Sequence, residues 1–431
     1  MKLLLAAHSL GGLAGAPLHT LDLCRGFRRV GHEVSVFTFY PGVVANILQE
    51  EGFAVLTVRD HRLLEDEPFD IVYLFHATCE ALLGLVFAGR TPIVRGYIGK
   101  GSATADPINA NFSSAVTYIS ESVRETMEGK EGWNNAIPSR IARNVYDDAL
   151  LVEHDVEVQG RPPKRPAFAL VSNHAPSQLV GLLEKAAGDG LCRFTTFGQP
   201  DNSVLITPEL LEPFDAVITV GRTVLLSAAM GKPSYLCDIH GTEGWLVRSN
   251  YEDARLHSFS GRRSTVEDWR TVERQLLDTD RWPDTGDLTR VRERIAHDHA
   301  LSRRVGELGA LFAEIISKAP PPMRPPDGHR AVFRLLLEDN GARLPGRKHR
   351  RLEFAKALNA AEQKIGQQAS RLGEIRGLLA RCRERLRESD RKLQEERATT
   401  RSLKREIADL YKPAGGSVLR IVDRLRGRAR R

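Results

Sequence analysis

The chain is poor in cysteine: Cys24, Cys79, Cys192, Cys237 and Cys382 are all it has, scattered and odd in number. That excludes a disulfide framework and any Cys/His zinc spacing, and it suits a reducing compartment. Long apolar runs are missing too, and no window reaches the roughly 18 uninterrupted apolar residues of a membrane span. The opening MKLLLAAHS has one lysine and a short apolar stretch, which His8, Gly11 and Gly12 cut off too soon for a secretory leader. It reads as a buried first strand, and the chain is expected in the cytoplasm. No aromatic residue interleaves the arginines near the C-terminus, so nucleic acid is not an expected partner. What remains is globular: 42% hydrophobic and 27% charged, enough to bury sizeable cores. At 431 residues, two or three units are expected.

Charge is unevenly placed. The net charge is +7, yet residues 341–431 hold about 26 Lys and Arg against about 11 Asp and Glu, which leaves the body ahead of them mildly acidic. A basic segment on an acidic body points to a polyanionic partner for that segment alone.

LLLAAHS is a short apolar run closed by glycines, as in a buried parallel strand. LHTLDLCRGFRRVG places Leu18, Leu21, Phe27 and Val30 at near-helical spacing and stops at Gly31. HEVSVFTF, GFAVLTV, DIVYLF, TPIVRGY and AVTYIS supply further strands, so residues 1–155 predict a parallel, doubly wound sheet. After a Pro-rich linker at 156–166, a second alternating set runs from FALVSN through SQLVGLLEKAAG, CRFTTFG, DAVITVG and TVLLSAAMG to PSYLCD. The expected class is α/β: two Rossmann-like domains, 1–155 and 167–318, with a ligand cleft at the carboxyl ends of their strands.

KAPPPMRPPDG then breaks the chain, and 319–351 reads as a Pro-rich, basic linker. From 352 to 411 a heptad frame passes through Leu358, Ile365, Leu372, Leu379, Leu386, Leu393 and Ile407. Its second seam is partly polar, so it predicts either a coiled coil joining two chains or a solvated single helix. Residues 412–431 set Val418, Leu419, Val422 and Leu425 beside six arginines, which suits an anionic membrane surface or a frayed basic end.

Strand-end loops supply the candidate chemistry. Gly221, Arg222 and Thr223 open a helix after a strand, where free N–H groups and the helix dipole favour a phosphate. Arg222 would add a guanidinium to that phosphate; otherwise it caps the helix or pairs with an acid. Asn173 and His174 end one strand of the second set, and Gly198 and Gln199 end another. His240 and Gly241 follow Asp238 in a further strand-end loop, as a phosphate or sugar contact or as plain loop. His76 is placed to act as a general base, or to be a buried structural histidine. Asp106, in GKGSATADP, is a rival base. No cluster of residues suggests a metal, and Asp278-Thr279-Asp280 sits at a helix end away from both Rossmann units.

RRVGHEVSVFT, DIVYLFHATCEALL and YISESVRETM followed by IARNVYDDALL resemble successive hallmarks of family-4-like GT-B glycosyltransferases. The stretch from Phe214 to Leu246, with Val220, Gly221, Arg222, Thr223, Gly231, Pro233, Asp238, Gly241 and Gly244, and then Phe259, Ser260, Gly261 and Arg262, resembles a narrower group of bacterial glycosyltransferase-like proteins. The resemblance covers residues 1–320. It implies a GT-B fold, a nucleotide-sugar donor on the second domain, near which the glycines Gly11 and Gly12 would also lie, and an acceptor on the first. The sequence departs from the family at Thr219 and Ser227, where many retaining members carry two glutamates, the second holding the donor ribose. A Ser227 hydroxyl would hold ribose more weakly than a carboxylate.

The resulting expectation is a metal-independent glycosyltransferase without a cofactor. It would move a sugar to a cell-surface polysaccharide or lipid-linked acceptor, as a homodimer peripheral to the inner membrane. The alternatives are an inactive GT-B-like binding or scaffold protein, and an epimerase or polyol-phosphate transferase of the same fold.

Overall fold

The computed structural model describes residues 1–318, apart from 88, 100–111, 131, 132, 134, 153–157, 159–161, 199–201 and 263–267, together with 402–404. Residues 1–343 form one compact unit and 344–431 another. Within the second unit residues 402–404 are helical; the rest of the expected coiled coil and the basic end lie outside the described residues.

In the first unit, β1 (Lys2–Ser9), β2 (Glu33–Tyr40), β3 (Ala54–Leu56), β4 (Ile71–Leu74), β5 (Ile93–Tyr97), β6 (Ala115–Tyr118) and β7 (Ser139–Ile141) form a seven-stranded sheet. Its order is β3-β2-β1-β4-β5-β6-β7 and every pairing is parallel. α1 (Gly15–Arg29), α2 (Val43–Glu50), α3 (His61–Asp66), α4 (Ala77–Phe87) and α5 (Glu121–Glu128) are its connections. β1 is buried on both faces: Leu3 and Leu5 enter one core and Leu4 and Ala6 the other, as a strand covered by helices on both sides requires.

The second sheet has β8 (Ala167–Val171), β9 (Arg193–Phe197), β10 (Ala216–Thr219), β11 (Ser234–Asp238) and β12 (Gly241–Trp245), in the order β12-β11-β10-β8-β9. It is parallel except for the β11–β12 hairpin. α6 (Ser177–Gly188), α7 (Pro208–Leu211), α8 (Arg222–Ala229), α9 (Tyr251–Leu256), α10 (Trp269–Leu277) and α11 (Thr285–His299) accompany it. Strand order reverses between β1 and β4 in the first sheet and between β8 and β10 in the second, so each sheet has a crevice at the carboxyl ends of those strands.

The boundary at 167–318 needs correction. α12 (Leu301–Ser317) belongs to the first core, into which it sends Leu301, Val305, Leu308 and Phe312, the last stacked on Phe27 of α1. The chain crosses back at Ala300, where Tyr146 and Leu301 exchange backbone hydrogen bonds with His299 and Tyr146. An apolar helix stripe says that a helix is buried, not against which sheet. Among the described residues, no helix is long and apolar enough to cross a membrane.

Candidate functional site

A cleft of about 630 Å³ opens at the carboxyl ends of both sheets. Leu13 to Ala16 at the start of α1, His19, His76, Ser122 and Val123 line it from the first sheet. Ser172 to His174 after β8, Gly198 after β9, Thr219 to Thr223, Ser258, Ser260 and Arg262 line it from the second.

Two helix N-termini meet this space. α8 leaves β10 through Gly221, whose φ of +67° a residue with a Cβ would adopt only with strain. Among the described residues no side chain caps α8, and no acid lies in its first turn. α1 begins after Ala14 in the same condition. Such ends present unpaired N–H groups and the positive pole of the helix, which an anion satisfies. Arg262 adds an exposed guanidinium to the second wall. Gly198 brings the β8 and β9 loops together: its φ is +136° and a Cβ there would lie 2.1 Å from the Ser172 carbonyl oxygen. Asn173, His174 and Gly198 thus share one wall as expected.

Arg222 takes the second of the two roles its position allowed, pairing with an acid. Its Nε and Nη2 donate to Asp22 of α1 at 2.6 and 2.8 Å. Asp22 is fully buried and Arg222 is 9% exposed. The fork expected on a phosphate is therefore committed to an acid across the cleft, although Arg222 still lines that space. Burial pushes the Asp22 carboxyl up, and Arg222 pulls it back. The two-bond fork is the geometry of an ionised pair.

His76 reaches the cleft, but its Nδ1 accepts a hydrogen bond from the His8 backbone N–H at 3.1 Å. Burial, then His8 and Arg95, drive its pKa down to about 4, so the ring is neutral and carries its proton on Nε2. A ring in that tautomer donates; the general-base role expected of His76 does not fit. His19, a residue the sequence reading passed over, is the better candidate. It lies in α1 one turn before Asp22, lines the cleft, and is brought to about 4 by burial and by Arg222, with Asn144 as its hydrogen-bonding neighbour. Its Nδ1 is buried with no partner among the described residues. The signal available in the sequence was a polar trio, His19, Thr20 and Asp22, on a helix whose other inward positions are apolar; all three are buried.

Ser258 was also missed. It and Phe259 have φ of +57° and +53°, a strained pair of non-glycine residues beside the cleft. The Phe259 carbonyl accepts from the Gly221 N–H at 2.7 Å and so fixes the start of α8, while Ser258 Oγ is buried without a partner among the described residues.

Several expected donor contacts fall elsewhere. Ser227 is fully buried, bonded to the Val224 carbonyl and to Ser234 Oγ at 2.7 Å, and does not line the cleft. Thr219 lines it, but its hydroxyl donates to the Val171 carbonyl at 2.8 Å. Gly11 packs against Gly42, where an added Cβ would lie 2.7 Å from Gly11 Cα; the cleft wall starts at Leu13 and includes neither Gly11 nor Gly12. His240 and Gly241 are drawn into the β11–β12 hairpin, Gly241 pairing with Asp238, and of these three only Asp238 lines the cleft. Asp106 and Gln199 lie outside the described residues. Among the described residues no group of three or more His, Cys, Asp or Glu is placed to hold a metal ion.

No protein-family model matches the chain, and no curated protein matches its sequence. Solved structures do match. HepE of Anabaena, in complex with UDP and glucose, superposes with a TM-score of 0.50 at 14% identity, covering 73% of this chain and 100% of that one. Its complex with UDP-glucose gives 0.50 at 15% identity with the same coverage. MurG of Acinetobacter baumannii gives 0.44 at 10% identity, covering 73% of this chain and 99% of that one. The chain has the GT-B fold of glycosyltransferases.

Proposed function

We propose that this protein is a glycosyltransferase that moves a sugar from a nucleoside-diphosphate donor to a glycan or lipid-linked acceptor. The observation that carries the reading is the pair of uncapped helix N-termini, α1 and α8, lining one cleft. With Arg262 they concentrate positive potential where a diphosphate would lie, and neither first turn holds an acid. A protein of the same fold bound UDP-glucose, which favours a nucleotide sugar over a bare phosphate. Charge on the leaving diphosphate would be met by the helix ends and Arg262, without a bound metal. The basic segment beyond residue 341 suits an acceptor at an anionic membrane surface.

In this reading the acceptor oxygen attacks the anomeric carbon, the bond to the diphosphate breaks, and the hydroxyl proton passes to His19. A histidine with a pKa near 4 is a weak base, but a diphosphate beside it raises that value toward the working range. His76 donates from Nε2. Replacing His19 by alanine is expected to lower kcat about 100-fold and to change donor Kd less than about threefold. The check is nucleoside-diphosphate release from a panel of nucleotide sugars, with product analysis of the transferred sugar. Equal loss in kcat and donor affinity would make His19 a binding residue instead.

A second reading rests on Thr219 and Ser227, whose hydroxyls are tied to the protein and offer the donor ribose no carboxylate. It is a binding protein of the same fold that takes nucleotide without turnover. Sugar release with any panel member contradicts it, whereas a product that keeps the nucleotide would point to epimerisation.

A further inference from the structure

A second cavity, of about 300 Å³, lies away from the cleft, where the crossing strand β7 meets α12. Arg140, Arg143 and Arg304 line it, with Ile141, Leu308 and Leu311 forming an apolar wall. Arg304 is 8% exposed; its Nη1 donates to Glu307, and its Nη2 to the His297 carbonyl at 3.2 Å. Arg143 donates from Nη2 to Glu121 at 2.6 Å. That leaves the Nε of both arginines buried, with no partner among the described residues. Glu307 and Glu314 also line the cavity, but Glu307 is shared between Arg303 and Arg304, and Glu314 is held by Lys318 at 2.6 Å.

Unpaired buried donors need an acceptor. A water molecule could take one N–H, but it would do nothing for two guanidinium groups lining one cavity, where burial and then the neighbouring charges of Arg303 and Arg143 lower the affinity of Arg304 for its proton. An oxyanion accepts from both and offsets the repulsion, and arginine forks match phosphate oxygens well. The cavity is larger than one phosphate group needs, and its remaining wall is apolar. We propose that this cavity is a second ligand site, for a small phosphomonoester whose phosphate lies between Arg143 and Arg304 and whose body packs on Leu308 and Leu311. The site joins the β7 edge of the first sheet to α12, the helix that brings the chain back from the second. Occupancy there would stiffen that return crossing.

The test is the melting temperature of the full chain with n-butyl phosphate, inorganic phosphate or sodium chloride at matched ionic strength. Four proteins are compared: wild type, Arg304→Leu, Ala310→Glu and Thr223→Glu. Ala310 is exposed at the cavity wall, so its replacement puts a carboxylate at the site without disturbing a core. Thr223→Glu instead places a carboxylate at the start of α8 and keeps phosphate out of the cleft. Butyl phosphate should raise the melting temperature of wild type and Thr223→Glu, but not of Ala310→Glu or Arg304→Leu, and should bind at least fivefold more tightly than inorganic phosphate. The proposal is overturned if Ala310→Glu keeps the shift, if Thr223→Glu loses it, if chloride reproduces it, or if the two phosphates bind alike.

Discussion

Asp22→Ala is expected to cost about 3–5 kcal/mol of unfolding free energy, the cost of leaving one member of a buried pair without its partner. Both side chains are almost wholly out of water, so Arg222 would be stranded with its charge. The pair also joins α1 to α8, elements 200 residues apart in sequence, so its loss should loosen one domain against the other. The double replacement Asp22→Leu with Arg222→Met removes both charges and keeps apolar volume, and should recover most of that stability. Urea unfolding of the three proteins decides it. A single-variant cost under about 1 kcal/mol would mean a pair as solvated as a surface salt bridge.

Acid should destabilise the protein steeply between pH 6.5 and 4. His19, His76 and His299 each fall from 6.5 to about 4, burial being the first cause in every case. A folded value below the unfolded one means that the unfolded chain binds the proton first. The stability these rings contribute is therefore complete above pH 6.5 and is lost as pH falls through the window toward 4. Near pH 5 three such sites give a slope of about 4 kcal/mol per pH unit; the lowered carboxyls of Glu121 and Asp298 add to it and the raised ones of Asp22 and Glu80 oppose it. His76→Gln should reduce this slope by about a third. Urea midpoints measured from pH 7 to pH 4.5 test both statements, and a flat profile would show that water reaches the rings.

The parallel sheets were legible because their strands are short apolar runs stopped by glycine, as LLLAAHS and DAVITVG are. The start of α8 was legible for a related reason: Gly221 has to turn the chain off β10 before a helix can begin. The partner of Arg222 was hidden. Asp22 sits mid-helix, 200 residues away; the polar trio it forms with His19 and Thr20 marks a buried polar patch, but not what that patch pairs with. His240 and Gly241 looked like a ligand loop because a strand that pairs antiparallel, β12, follows so closely that the turn resembles an open strand end. The return of α12 to the first core was also beyond local reading, since its apolar stripe would fit either sheet.

The most direct measurement is a calorimetric titration of UDP and the other nucleoside diphosphates into wild type and Thr223→Glu. Because a carboxylate in the first turn suits the helix dipole, the variant should fold as well as wild type while repelling a diphosphate from the start of α8. Saturable binding of at least one nucleotide to wild type, weakened 100-fold or more in Thr223→Glu, is the predicted result. Equal binding by both proteins, or binding of no nucleotide by folded wild type, would contradict a donor site in this cleft.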